Sequence, residues 1–561
     1  MELSRAPEKK VGAHLISCNM FSIIISFFIV ALGQPARVIP LGVIAGAFGF
    51  ALFWRSMLQL EHRRRRFYLA FFWFAGVQLI QLSWMSSTQY TGPLILLVYA
   101  GLSIGLGVQF ALLSLLVKAR MGLLNQLALS GLWVLFEWSR LYLCTGFTWN
   151  PVGLFLSCST YSLQMASLFG IYGLSFFVIW TNLAGLQAMT HRGIGSWLRF
   201  LVLCVFPYGA GMGYIHYLET KDDPKRYRAL LVQTALLPEQ KNYEPLTPQR
   251  FVPLPQQWKM ILQSIEKALT ENPGQLDLIA LPEGTVSYGA YRYPYDLHVM
   301  ESIWTACFGV EAMLDLPPLE EPQARLEAGR WKVTNAYWAQ ALAMRYGADV
   351  LIGLDDERYN AAFLFRPSME QPERYEKRVL VPISEYIPLG GLSFLSEFVA
   401  SQFAITDSFL AGAQAKIFSG KVPFAVSICY EETYGEFSRQ GRAQGAELFV
   451  NISNDAWYPF STLAKQHFDH GMVRAVENGV SVLRACNTGI TGGVDRFGRT
   501  LQLLDAGESR QGALILDLPV HSHRTLYTLW GDQAILWISI FFLSLKGQHL
   551  FRIRSKNSLK S

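Results

Sequence analysis

Phe-Ala-Val-Ser-Ile-Cys-Tyr-Glu-Glu, residues 424–432, reads as an apolar strand that carries Cys429 to its end and is followed at once by carboxylates. A β-prone run ending in a thiol is one way a layered fold presents a nucleophile at the rim of a sheet. Buried cysteines are common and usually inert, so the run needs partners. Two further strand-end stretches supply them. Leu-Ile-Ala-Leu-Pro-Glu-Gly-Thr, residues 278–285, carries Glu283. Tyr-Glu-Lys-Arg-Val-Leu-Val-Pro-Ile-Ser-Glu-Tyr, residues 375–386, carries Lys377 and Glu385.

Around these stretches strands and helices alternate. Strands are expected at 229–233, 276–281, 350–353, 361–365, 424–429 and 448–452, and helices at 255–270, 333–346, 434–444 and 464–479. Such alternation predicts an α/β layered domain.

The flanks are different in kind. The chain of 561 residues is 51% hydrophobic and 16% charged, with mean hydropathy +0.23. That is too apolar for an ordinary soluble protein. The apolar residues concentrate in 12–215 and near 526–546. A spanning helix needs about 20 apolar residues. Eight candidates result: 14–33, 38–58, 67–86, 93–117, 123–144, 163–187, 197–215 and 526–546. The division is a seven-helix membrane region at 1–215, a soluble domain at 216–525, and a last span with a basic tail at 526–561.

Loop charges orient the bundle. Lys9 and Lys10, the run Arg63-Arg64-Arg65-Arg66, Lys118 with Arg120, Arg192 with Arg199, and the tail with Arg552 and Arg554 fall on alternate sides from the uncharged loops 87–92 and 145–162. The positive-inside rule puts the basic set in the cytoplasm and residues 216–525 outside. The net charge of +6 reflects these loops. No basic stripe with interleaved aromatics suggests nucleic acid.

Glu, Lys and Cys in this order and these contexts resemble the nitrilase (carbon–nitrogen hydrolase) superfamily. Val-Pro-Ile-Ser-Glu-Tyr-Ile-Pro-Leu at 381–389, the Cys-Tyr-Glu triplet, Ser-Asn-Asp-Ala-Trp at 453–457 and the flanking spans narrow the resemblance to the apolipoprotein N-acyltransferases. The resemblance implies an αββα sandwich beside a membrane helix bundle. It implies that Cys429 is the nucleophile, Lys377 the cation that activates it and later holds the oxyanion, and Glu283 the general base. Glu385 is implied as catalytic support, and Tyr430 and Glu431 as neighbours of the substrate. The implied partners are a phospholipid acyl donor, a diacylglyceryl-modified apolipoprotein acceptor and the membrane. The implied place is the bacterial inner membrane with the catalytic domain on the periplasmic side. No cofactor is implied. The alternative is a membrane-anchored amidase or nitrilase that passes its acyl group to water; a scaffold with a degenerate domain is opposed by the intact Glu283, Lys377 and Cys429.

Other features are weaker. The apolar segment 388–412 is a candidate lid, or else a core helix. Glu137 and Arg140 inside the fifth span are costly at membrane depth and invite a functional reading beside that of a packing ion pair. Thr145-Gly146-Phe147-Thr148-Trp149 has threonine where the family has proline. Residues 287–330 look like an insertion. Asn454, Asp455 and Trp457 are expected to shape the pocket wall. His467 and His470 are expected on a helix surface, with no further metal ligands nearby. Seven cysteines suggest no disulfide framework, and Cys429 must stay free.

Overall fold

The computed structural model describes residues 8–34, 38–142, 146–221, 224–242, 248–368, 371–387, 408–504, 510–521 and 523–558. The chain divides into two compact units, Met1–Ser86 with Ile95–Leu218 and Trp530–Ser561, and Ser87–Leu94 with Glu219–Leu529.

The first unit is helical. Among the described residues four helices are long and apolar enough to cross a membrane: Ile39–Met57, Ile95–Ser114, Ala166–His191 and Ile194–Glu219. Met20–Gly33 is a shorter apolar helix. The eight spans expected from sequence are therefore not all present as uninterrupted apolar helices. The helix Arg63–Gln81 opens on four arginines, and Leu123–Ser139 stops after 17 residues. The last expected span breaks at Gly531, whose φ of +59° separates Leu526–Trp530 from Gln533–Ser558. Glu137 and Arg140 are both buried. Glu137 Oε1 accepts from Trp133 Nε1 and from the Val152 amide, each at 2.8 Å, while Arg140 Nε donates to Gln109 Oε1 at 2.9 Å. The two side chains thus tie helices and the 146–157 stretch together, which favours the packing reading.

The second unit is a four-layer sandwich. One six-stranded sheet runs Gly512–Val520, Lys225–Gln233, Leu278–Ala280, Asp349–Asp356, Tyr359–Phe365, Glu373–Glu376. The other runs Thr500–Leu503, Gly492–Val494, Ser481–Cys486, Leu448–Ser453, Phe424–Ile428, Ile417–Phe418. Three central strands of each sheet are parallel. Strands buried on both faces lose the polar alternation and read as continuous apolar runs. Lys225–Gln233 shows the result: Ala229 and Leu231 pack between the sheets against Val426 and Val450, while Leu230 and Val232 pack outward against Trp258 and Trp338. On the far side, Phe449 and Val482 meet Phe468 and Ala475 of the helix Leu463–Asn478.

The expected strands and helices of this unit are present, and two features were not foreseen. Within residues 287–330 and just beyond, Tyr295–Asp296, Arg330–Val333 and Ala324–Glu327 form a small sheet, and Met300, Trp304 and Ala324 join the outer core. His467 and His470 are not a helix-surface pair; both are buried, because their helix lies between the second sheet and neighbouring segments. Of the candidate lid, residues 388–407 lie outside those described.

Candidate active site

Parallel strands end together, so residues just past their carboxyl ends converge. Glu283 follows Leu278–Ala280, Lys377 follows Glu373–Glu376, and Cys429 follows Phe424–Ile428. The three expected residues are brought to one place from two sheets.

A closed ring of charge forms the centre. Lys377 is 1% exposed. Its Nζ donates to Glu283 Oε1 at 3.0 Å and to Glu385 Oε1 at 2.8 Å. Asn360 Nδ2 donates to the same two oxygens, at 2.7 and 2.9 Å. Glu385 is further fixed by the Val381 amide at 2.7 Å. Burial alone would lower the lysine, but Glu283 and Glu385 overturn that and hold it well above its ordinary value. The two carboxylates thus favour the charged ammonium.

Cys429 is a free, half-buried thiol at the first position of a short 3₁₀ turn, Cys429–Thr433. Its φ is +53°, a left-handed conformation that costs a non-glycine residue roughly 1–3 kcal/mol unless its surroundings impose it. Burial, then the charge of Glu283, push the thiol above its usual range, and Lys377 pulls the other way without winning. The shift favours the protonated thiol, for which attack calls for a base.

Glu431 is tied into this frame. Its carboxylate accepts from the amides of Arg378 at 2.5 Å, Val379 at 3.0 Å and Ile428 at 2.8 Å, and from the Tyr375 hydroxyl at 2.9 Å. It thereby clamps the backbone after Lys377 to the backbone before Cys429. Burial pushes it up to about 7 even though three amides favour its charged form. Tyr430 is half-buried, edge-on to Tyr434 at 5.3 Å. Asn454 Oδ1 accepts from Asn487 Nδ2 at 2.9 Å, and Trp457 stands edge-on to Tyr90, whose hydroxyl donates to Glu239 at 2.8 Å.

Sequence reasoning missed Asn360, Lys241 and Asp355. Asn360 had one signal, a lone amide inside the apolar strand Tyr359–Phe365. Lys241 Nζ donates to the Gly284 carbonyl at 2.5 Å, and burial draws it down to about 8. Burial, with Glu283 adding to it, raises Asp355 to about 6. Among the described residues no group of three or more His, Cys, Asp or Glu is placed to hold a metal ion.

Glu283 also depends on a missing side chain. A Cβ on Gly353 would lie 2.5 Å from the Pro282 carbonyl oxygen and 2.6 Å from Glu283 Cα. Both are backbone atoms, so Gly353→Ala must displace the carboxylate. The expected result is a rate lower by about 10²-fold, because an ångström of misplacement costs that much. A loss of roughly 1–3 kcal/mol in a denaturant melt should accompany it. Unchanged turnover would show that Glu283 tolerates displacement.

Known proteins resemble both units. The carbon–nitrogen hydrolase family matches residues 247–515, and the apolipoprotein N-acyltransferase N-terminal domain matches residues 25–184. An apolipoprotein N-acyltransferase of Chlamydia pneumoniae is 31% identical over 97% of this chain and 100% of its own length. Another, from Haemophilus influenzae, is 27% identical over 76% of this chain and 75% of its own. Among solved structures, Saccharomyces cerevisiae Nit3 of the nitrilase superfamily aligns with 17% identity and a TM-score of 0.34 over 53% of this chain and 90% of its own.

Proposed function

The chain belongs to the apolipoprotein N-acyltransferase family, and from that premise we propose that Glu283, Lys377 and Cys429 carry a two-step acyl transfer from a phospholipid to the α-amine of a diacylglyceryl-cysteine. The protein is an acyltransferase of lipoprotein maturation. The observation that carries the residue assignment is the ring in which one buried ammonium binds Glu283 and Glu385 within 3.0 Å, at the strand ends that also present Cys429.

In the first step Glu283 takes the thiol proton as Sγ attacks the acyl ester carbon of the donor. The carbonyl oxygen becomes an oxyanion, which the Lys377 ammonium neutralises in this reading. The intermediate collapses, the C–O bond breaks, and Glu283 returns the proton to the departing alkoxide. A lysophospholipid leaves and the acyl chain stays on sulfur as a thioester. In the second step the acceptor amine attacks the thioester carbon. An α-amine has a pKa near about 7.7–8.0, so a carboxylate base suffices. Glu283 takes the ammonium proton as the C–N bond forms, and passes it to the leaving thiolate. The product is an amide and the thiol is restored. Glu385 and Asn360 keep Lys377 and Glu283 in register through both steps, while Glu431 and Tyr430 hold and border the turn that carries Sγ.

The protein is assigned to the inner membrane. Residues 1–215 and 526–561 form the membrane part in this reading, and residues 216–525 face the periplasm. The support is the alternation of basic and uncharged loops.

The test is intact mass spectrometry of the purified protein incubated with phosphatidylethanolamine. A mass gain of one acyl chain that hydroxylamine removes is expected. Release of free fatty acid with no adduct at any time would instead favour hydrolysis, the amidase reading.

A further inference from the structure

The turn at Cys429 raises a question that the ring of Glu283, Lys377 and Glu385 does not answer. A left-handed cysteine persists only where its surroundings hold it. Two side chains hold its carbonyl. Asn451 Nδ2 donates to the Cys429 oxygen at 3.3 Å, a long bond. His467 Nε2 lies 3.1 Å from the same oxygen, and His467 Nδ1 lies 2.9 Å from Asp455 Oδ1. His467 is 2% exposed, and Asp455 is buried beside it.

The chemistry of these partners fixes where the hydrogens are. A backbone carbonyl only accepts, so Nε2 must carry a hydrogen. Asp455 Oδ1, 2.9 Å from Nδ1, fixes the plane of the ring so that Nε2 points at the Cys429 oxygen. The pair is therefore held with Nε2 as a committed donor. Glu432 Oε2 stands 3.6 Å from Nε2, farther than the Cys429 oxygen, and is ion-paired with Arg484.

We propose that His467, seated by Asp455, is a positioning residue for the nucleophile, its Nε2–H holding the Cys429 carbonyl and so fixing the left-handed turn that aims Sγ. His467 acts from behind the strand Phe424–Ile428, on the helix Leu463–Asn478, which gives that buried helix a function beyond packing. The Asn-Asp-Ala-Trp stretch then contributes through Asp455 by orienting a ring. The proposal rests on the reading of Cys429 as acyl carrier.

The amides of glutamine and asparagine separate this role from space-filling. A glutamine at 467 places an N–H near the position of Nε2, whereas an asparagine reaches only that of Nδ1. In the full-length protein, His467→Gln, His467→Asn and His467→Ala are compared by three readouts: thermal melting, the rate of alkylation of Cys429 by iodoacetamide, and the rate of acyl-enzyme formation from phosphatidylethanolamine. The expected order is His467→Gln within about fivefold of the parent and His467→Asn and His467→Ala about 10²-fold slower in acyl-enzyme formation, the scale of a misaimed nucleophile. Alkylation follows the same order. Equal rates for glutamine and asparagine, whatever their melting temperatures, would overturn the proposal. A parent protein that alkylates but never acylates would overturn the acyl-carrier reading instead, and the alkylation order would still decide the role of His467.

Discussion

Cys429→Ala is expected to abolish the acyl-enzyme and to lower transfer on the order of 10⁴-fold or more, the scale seen when a covalent nucleophile is removed. Among the described residues Cys486, on the strand Ser481–Cys486, is fully buried and cannot take its place. Folding should survive, because the ring of Lys377, Glu283, Glu385 and Asn360 does not use the sulfur. Alanine keeps the strain of φ +53° and glycine relieves it. Cys429→Gly should therefore be as inactive as Cys429→Ala and more stable by about 1 kcal/mol. Turnover assays with both variants, paired with thermal melts, check this. Residual transfer within tenfold of the parent would move the nucleophile elsewhere.

Lys377→Met is the second large effect, and it differs in kind because it strikes activity and stability together. The methionine fills the space but leaves Glu283 and Glu385 facing one another with Asn360 as their shared donor. Removing one partner of a buried ion pair costs roughly 3–5 kcal/mol. The loss of the fixed cation should slow acyl-enzyme formation about 10³-fold, the effect of losing one preorganised oxyanion contact. Lys377→Arg should not rescue, since a planar guanidinium cannot occupy a site shaped for a compact ammonium. Single-turnover acylation and a denaturant melt separate the two effects. A stable Lys377→Met protein with parental acylation would remove the lysine from the mechanism.

The local signals in the sequence were sufficient where one element determines the outcome. The strand at 424–429 is apolar on both faces, and Glu283 and Lys377 lie at comparable strand ends, so the convergence of the three could be anticipated. Asn360 could not, because its role exists only once Glu283 and Glu385 arrive from segments distant in sequence. His467 was misread for the same reason. Its helix carries Lys465, Asp469, His470, Arg474 and Glu477, a composition that suggests a solvated face, yet all but Lys465 are buried. Polar residues that satisfy one another inside a protein look like surface residues in a linear reading. Of the eight expected membrane spans, four are long, apolar helices among the described residues, and hydropathy windows do not register a break such as that at Gly531.

The strand Lys225–Gln233 pairs along its whole length with Gly512–Val520, from Lys225 opposite Val520 to Gln233 opposite Gly512. A ribosome reaches the second strand only after the roughly 280 residues between them, on the order of tens of seconds at usual elongation speeds. Throughout that interval the first strand offers a bare edge of amides and carbonyls, which is the geometry other chains add to. The nascent protein thus carries an unguarded seam during its own synthesis. Mutations that slow the arrival or weaken the grip of residues 512–520 should first show as aggregated, undelivered chains, with the fraction that does mature turning over normally.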